Sequence, residues 1–250
     1  MTSRLQAAFG PGFFGKLPSY GDYLARALPA SFLTPWEEWL QDVWQSGWDR
    51  FGNVWPPLVA EGPVWRFALE ADVCGPDPVA GLLMPSADRL GRVFPLCLVT
   101  ALSVRTDPAI LPVIAGPWYN RAEALLRQSL TSDLELDAFA RQVSELGVLE
   151  RPTPTPTLAC PGPGWHVTLD PNQPPALSYP ALVHELAATL PQHYSLWWTR
   201  GAARVAPSLT VCDGLPDSQA VTAFFDGAWA YWGWSDADAV YPEDQEAPLP

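Results

Sequence analysis

Three histidines, four cysteines and a few well-placed serines are the side chains that could attack, titrate or bind a metal. Their spacing argues against most of that chemistry. His166, His184 and His193 fit no H-E-x-x-H frame, and a metal site would need ligands gathered from distant segments. Cys74, Cys97, Cys160 and Cys212 contain no C-x-x-C pair, which zinc ribbons and thioredoxin-like centres need because two ligands come from one turn. They read as buried free thiols. Ser19 and Ser195 lie in no G-x-S-x-G elbow, so neither has the local geometry of a hydrolase nucleophile. Gly10-Pro11-Gly12 and Gly162-Pro163-Gly164 place rigid proline where free amides would have to cradle a phosphate. No catalytic residue, metal ligand or cofactor is expected.

The remaining chemistry is that of contact. Lys16, Ser19, Asp22 and Arg26 crowd into one short block, and Arg92 stands beside the apolar run that follows it. The plain reading is an ion pair of Lys16 or Arg92 with Asp22, and the sharper one is a shared docking surface. Thirteen tryptophans form two main clusters, Trp36 to Trp55 and Trp197 to Trp234. The first follows helical spacing and belongs to a core. Trp197 and Trp198 are adjacent in a strand-like run, where neighbours face opposite sides, so at least one must meet a second layer, a partner or solvent. Exposed tryptophans would also suit a glycan-stacking surface.

Charge narrows the partners. Fourteen Lys and Arg against 27 Asp and Glu give a net charge of −13, which repels nucleic acid and anionic lipid. Met1 to Phe9 has no signal-peptide core and no run reaches membrane-spanning length, so a cytoplasmic protein without membrane insertion is expected. A homodimer is compatible with the tryptophan load.

The elements that would position these residues follow from pattern. Ser19 and Asp22 have capping-box spacing and predict a short helix over Tyr20 to Leu28. Thr34-Pro35-Trp36-Glu37 predicts a long amphipathic helix starting at Pro35, with Trp36, Trp39, Leu40, Val43, Trp44, Trp48 and Phe51 on one face. Val64 to Ala71, Val79 to Pro85 and Arg92 to Ser103 read as an antiparallel meander whose third run is covered on both faces. Helical periodicity returns over Ile110–Ala115, Tyr119–Leu130 and Leu134–Leu149. The Pro-rich stretch from Glu150 predicts a stiff surface connection, Trp165 to Leu169 a strand and Tyr179 to Gln192 a helix. A hairpin over Tyr194–Cys212, a helix capped by Asp217 and an aromatic knot at Trp229–Trp234 close the pattern. The intermixing predicts an α/β fold, a layered α-β-α sandwich with a mixed, largely antiparallel sheet. One domain over residues 1–234 and a fraying acidic tail over 235–250 are expected.

Three stretches, Gly12 to Phe32 (GFFGKLPSYGDYLARALPASF), Gly91 to Leu96 (GRVFPL) and Ser195 to Gly201 (SLWWTRG), resemble the TagF (ImpM) family of type VI secretion-associated proteins. The family pattern covers Gly15, Lys16, Leu17, Pro18, Ser19, Gly21, Asp22, Arg26, Gly91, Arg92, Phe94, Pro95, Trp197 and Trp198, with Tyr23 where Phe is common. The resemblance implies a non-enzymatic cytoplasmic repressor of type VI secretion that acts after translation, with the forkhead-associated-domain scaffold Fha as its partner. Lys16, Ser19, Asp22, Arg26, Arg92, Trp197 and Trp198 are then the candidate partner-binding residues. A phosphatase-like hydrolase and a tryptophan-lined glycan binder are the alternatives from other classes.

Overall fold

Alternation along the strands decides which helix packs where. The computed structural model describes residues 7–103, 106, 108–131, 135–149 and 194–235. Within them the strands are β1 (Gly12–Gly15), β2 (Leu24–Arg26), β3 (Trp65–Leu69), β4 (Val79–Met84), β5 (Leu96–Ala101), β6 (Tyr194–Thr199) and β7 (Ser208–Asp213). They form one seven-stranded sheet in the order β2-β1-β5-β4-β3-β6-β7. Every strand pair in it is antiparallel, and a single bridge, Leu102 to Leu149, is parallel. The expected layered α/β architecture is therefore present, with its sheet almost wholly antiparallel.

Neighbouring residues in each strand serve opposite layers. Phe14, Phe67, Leu83, Cys97, Val99 and Trp197 face one side, with α1 (Ala30–Phe51), α2 (Trp55–Ala60) and the short helical turn Ala223–Asp226. Phe13, Ala68, Leu82, Leu96, Leu98 and Leu196 face the other, with α3 (Leu111–Ile114), α4 (Gly116–Thr131) and α5 (Leu136–Glu145). The meander is as expected, and β5 is buried on both faces between β1 and β4. On α5 the predicted helical periodicity holds, with Phe139 and Val143 buried and Leu136, Ala140 and Leu146 partly buried against the same core.

Two local predictions fail for physical reasons. Tyr20 to Leu28 is no helix: Leu24, Ala25 and Arg26 pair with Gly15, Phe14 and Phe13. A helix of that length is marginal alone, and β1 offers this segment strand partners instead. Helix α1 starts at Ala30, with Pro29 as its extended N-cap and Pro35 inside the helix. Proline removes one intrahelical donor there. The first turn persists because Phe32 is buried and stacks on Trp36 at 5.4 Å.

The C-terminal predictions hold in outline. β6 and β7 form the hairpin, from Tyr194↔Asp213 to Thr199↔Ser208. Asp217 Oδ1 accepts from the Gln219 and Ala220 amides, as a cap should. Trp229 and Trp234 meet edge to face at 5.5 Å, and both pack on Phe224. The predicted Pro-rich connection, the Trp165 strand, the Tyr179 helix, the three histidines, Cys160 and the acidic tail from residue 236 lie outside the described residues.

Candidate functional site

Two of the motif blocks meet in space. Gly15, at the end of β1, pairs with Leu96 of β5, and a Cβ on it would stand 2.2 Å from the Pro95 carbonyl oxygen. Its φ of +135° suits glycine alone. Beyond this contact the chain Lys16–Tyr23 lies against the loop Ser86–Val93. The Ser86 hydroxyl donates to the Lys16 carbonyl at 2.7 Å, and the Arg89 amide donates to the Tyr20 carbonyl at 3.1 Å. The Tyr20 hydroxyl in turn accepts from the Leu136 amide at 2.8 Å, fixing the first loop to the start of α5.

At the centre is a residue the motif reading did not select. Asp88 is buried, and its carboxylate accepts from the Leu90 amide at 2.9 Å, the Arg92 amide at 3.0 Å, Lys16 Nζ at 3.1 Å and Arg92 Nε at 2.7 Å. The expected pairing of Lys16 or Arg92 with Asp22 is thus replaced by pairing of both with Asp88. Burial disfavours the Asp88 carboxylate, but the two amides and two cations outweigh it and hold the carboxyl well below the usual range. The only sequence signal for it was an aspartate in a turn-rich segment.

Lys16 is itself buried, with its ammonium 5.0 Å from the Tyr23 ring centre. Arg92 keeps 58% of its side chain exposed while Nη2 donates to the Gly21 carbonyl at 2.7 Å. Tyr23 meets Phe94 edge to face at 4.8 Å and leaves 53% of its surface exposed. Burial pushes its hydroxyl pKa upward, against the opposing pull of Arg92.

These loops, the flank of α1 and Pro56 of α2 border an open groove of about 530 Å³, lined by Lys16, Gly21, Asp22, Tyr23, Trp44, Trp48, Pro56, Gly91, Arg92 and Val93. Of the candidate residues it brings together Lys16, Asp22 and Arg92. Ser19 is exposed in the adjoining turn, and Arg26 is exposed on β2 without lining the groove. Trp48, read from its spacing as core, is 43% exposed and forms part of the wall.

The third block has a different role. Trp197 is fully buried among Trp36, Trp39, Phe67 and Phe224, and its indole N–H donates to Ser195 Oγ at 2.9 Å. Trp198 turns to the other layer, edge to face with Tyr119 at 4.9 Å. Trp197 therefore offers no surface to a partner in the folded chain. Ser195 is also buried, and its hydroxyl donates to the Gly214 carbonyl at 2.6 Å.

The three described cysteines, Cys74, Cys97 and Cys212, are free thiols. Burial pushes Cys74 and Cys97 up to about 12 and Cys212 up to about 11, away from the thiolate that reacts or binds metal. Among the described residues, no three His, Cys, Asp or Glu side chains are grouped to hold a metal ion, and no helix is long and apolar enough to cross a membrane.

Residues 12–146, which include both blocks of the groove, match the TagF N-terminal domain family, described as type VI secretion system-associated. The chain belongs to the TagF family. A crystal structure of PA0076 from Pseudomonas aeruginosa PAO1 is similar to this TagF chain, with 31% identity and a TM-score of 0.69 over 87% of this chain and 94% of that one. No curated protein matches. The TagF match ends after α5, so β6 and β7 complete the sheet from residues beyond it.

Proposed function

We propose that this TagF protein is a non-enzymatic, cytoplasmic accessory protein that restrains type VI secretion after translation by docking the forkhead-associated-domain scaffold of the secretion machine in the Tyr23–Trp48–Arg92 groove. The observation that carries this reading is that the family residues Lys16, Gly21, Asp22, Gly91 and Arg92 line one open groove together with exposed aromatic rings. Membership of a secretion-associated family supports the process, and the Lys16–Asp88–Arg92 network, anchored on buried Asp88 and Lys16, supports a stiff docking surface. Aromatic and arginine side chains in such a setting commonly dominate binding energy.

Co-elution of the full chain with the scaffold from the same secretion locus, at low and moderate salt, tests the reading. A complex is expected, and Tyr23→Ala, Trp48→Ala and Asp22→Lys should each weaken it at least about tenfold, with Trp48→Ala and Asp22→Lys leaving the melting temperature close to wild type. Capture that survives all three substitutions would sink the groove as the docking surface. The exposed Tyr23 and Trp48 rings also suit sugar stacking, and a glycan-dependent change in tryptophan fluorescence would favour that second reading.

A further inference from the structure

The two edges of the sheet are built differently. At one, β2 has three residues, ends in Arg26 and is followed by Ala27 at φ +59° and then by Pro29. Such features stop another strand from adding. At the other edge, β7 runs six residues in unbroken register with β6 and contains neither Lys nor Pro. It leaves Leu209 60% and Val211 42% exposed. These two stand opposite Trp198 and Leu196, so they carry the apolar face on the α4 side outward to the sheet edge. Among the described residues, no strand pairs with β7 on the side away from β6.

We propose that β7 pairs antiparallel with β7 of a second copy of this chain, about a two-fold axis at Thr210, joining the two sheets into one. The strand is self-complementary in that register. Leu209 meets Val211 of the second copy and Val211 meets its Leu209, on one face, because directly opposed antiparallel residues share a face. Asp213 is the one charged residue of β7, and it falls opposite Pro207 and not a second carboxylate. Moving the axis to Val211 would set Asp213 against Leu209, which loses the apolar match. A chain of net charge −13 can approach its copy closely along a seam that holds one carboxylate per chain, at its end. A single strand pair falls short of the roughly 1,000 Å² that a stable interface needs, so the dimer is reversible and strengthens as salt screens the two chains.

Sedimentation equilibrium of the full chain over a concentration series should show a monomer–dimer equilibrium that shifts toward dimer at higher salt. Val211→Lys, at an exposed position, should restore the monomer without altering the circular dichroism spectrum. With Cys160 and Cys212 replaced by Ser, Thr210→Cys should form an intermolecular disulfide on mild oxidation, because residue 210 faces its own copy at a Cα spacing of about 5 Å. That cross-link decides the matter if the lysine variant folds poorly. A chain that stays monomeric to about 1 mM at both salts, or a dimer that keeps its strength in Val211→Lys and gives no Thr210→Cys cross-link, overturns the proposal.

Discussion

Four donors converge on the Asp88 carboxylate, two backbone amides and two cations, and this convergence holds the two groove loops together. The partners of the buried network are not equivalent. Asp88→Leu would strand a buried ammonium and two amides, whereas Lys16→Met leaves Asp88 with Arg92 and both amides. Asp88→Leu should therefore lower the urea midpoint more than Lys16→Met does. The pH dependence has a defined sign. A carboxyl held below its ordinary range when folded adds stability that is whole above about pH 4 and is lost as pH falls toward the folded value. Wild-type stability measured by urea titration should fall steeply below about pH 4. The Asp88→Asn variant should be less stable at neutral pH and show a flatter acid limb, so that the gap closes in acid. None of this was legible in a turn-rich aspartate, because its meaning comes from Lys16, a contact 72 positions away in sequence.

At the scale of elements, long periodic segments were legible, whereas the cap signatures at Ser19 and Thr34 misplaced their helix starts. α1, α4, α5 and the β3–β5 meander each repeat an apolar pattern often enough for the element type to be read directly. The Ser19–Asp22 spacing was a local signature only, and strand pairing with β1 overrode it. Helix α1 supplies a sharp test of packing against propensity. Gly47 lies in its buried face, where an added Cβ would come within 2.1 Å of the Trp55 ring. Gly→Ala inside a helix ordinarily stabilises by about 1 kcal/mol. Here Gly47→Ala should instead cost about 1–3 kcal/mol, read as a lower denaturant midpoint, because the fully buried indole cannot move aside cheaply. The same helix presents Trp36 and Trp39 to the core and Trp48 to the groove. Its spacing alone predicted one apolar stripe, which the structure divides between the core and the groove.

The described residues form three layers, an antiparallel sheet between two helical ones, and stability is expected to divide by layer and by charge. On the α4–α5 side Phe139 is fully buried and meets Phe13 edge to face at 4.8 Å. Phe139→Ala should cost about 3–5 kcal/mol in denaturant titrations, whereas Trp48→Ala in the groove should change stability little. A net charge of −13 implies self-repulsion across the surface, so added salt should raise the melting temperature until screening saturates. The sequence by itself determined the layered class, because alternating and helical periodicities state how many faces each element must bury. It also contained the blocks that carry the family likeness. Only the tertiary structure decided which residues of those blocks share a surface. Lys16, Asp22 and Arg92 reach one groove because β1 and β5 are sheet neighbours, while Trp197 of the third block is enclosed beneath α1. Side-chain type and spacing cannot encode that division, since burial and ion pairing depend on contacts between segments that the chain keeps far apart.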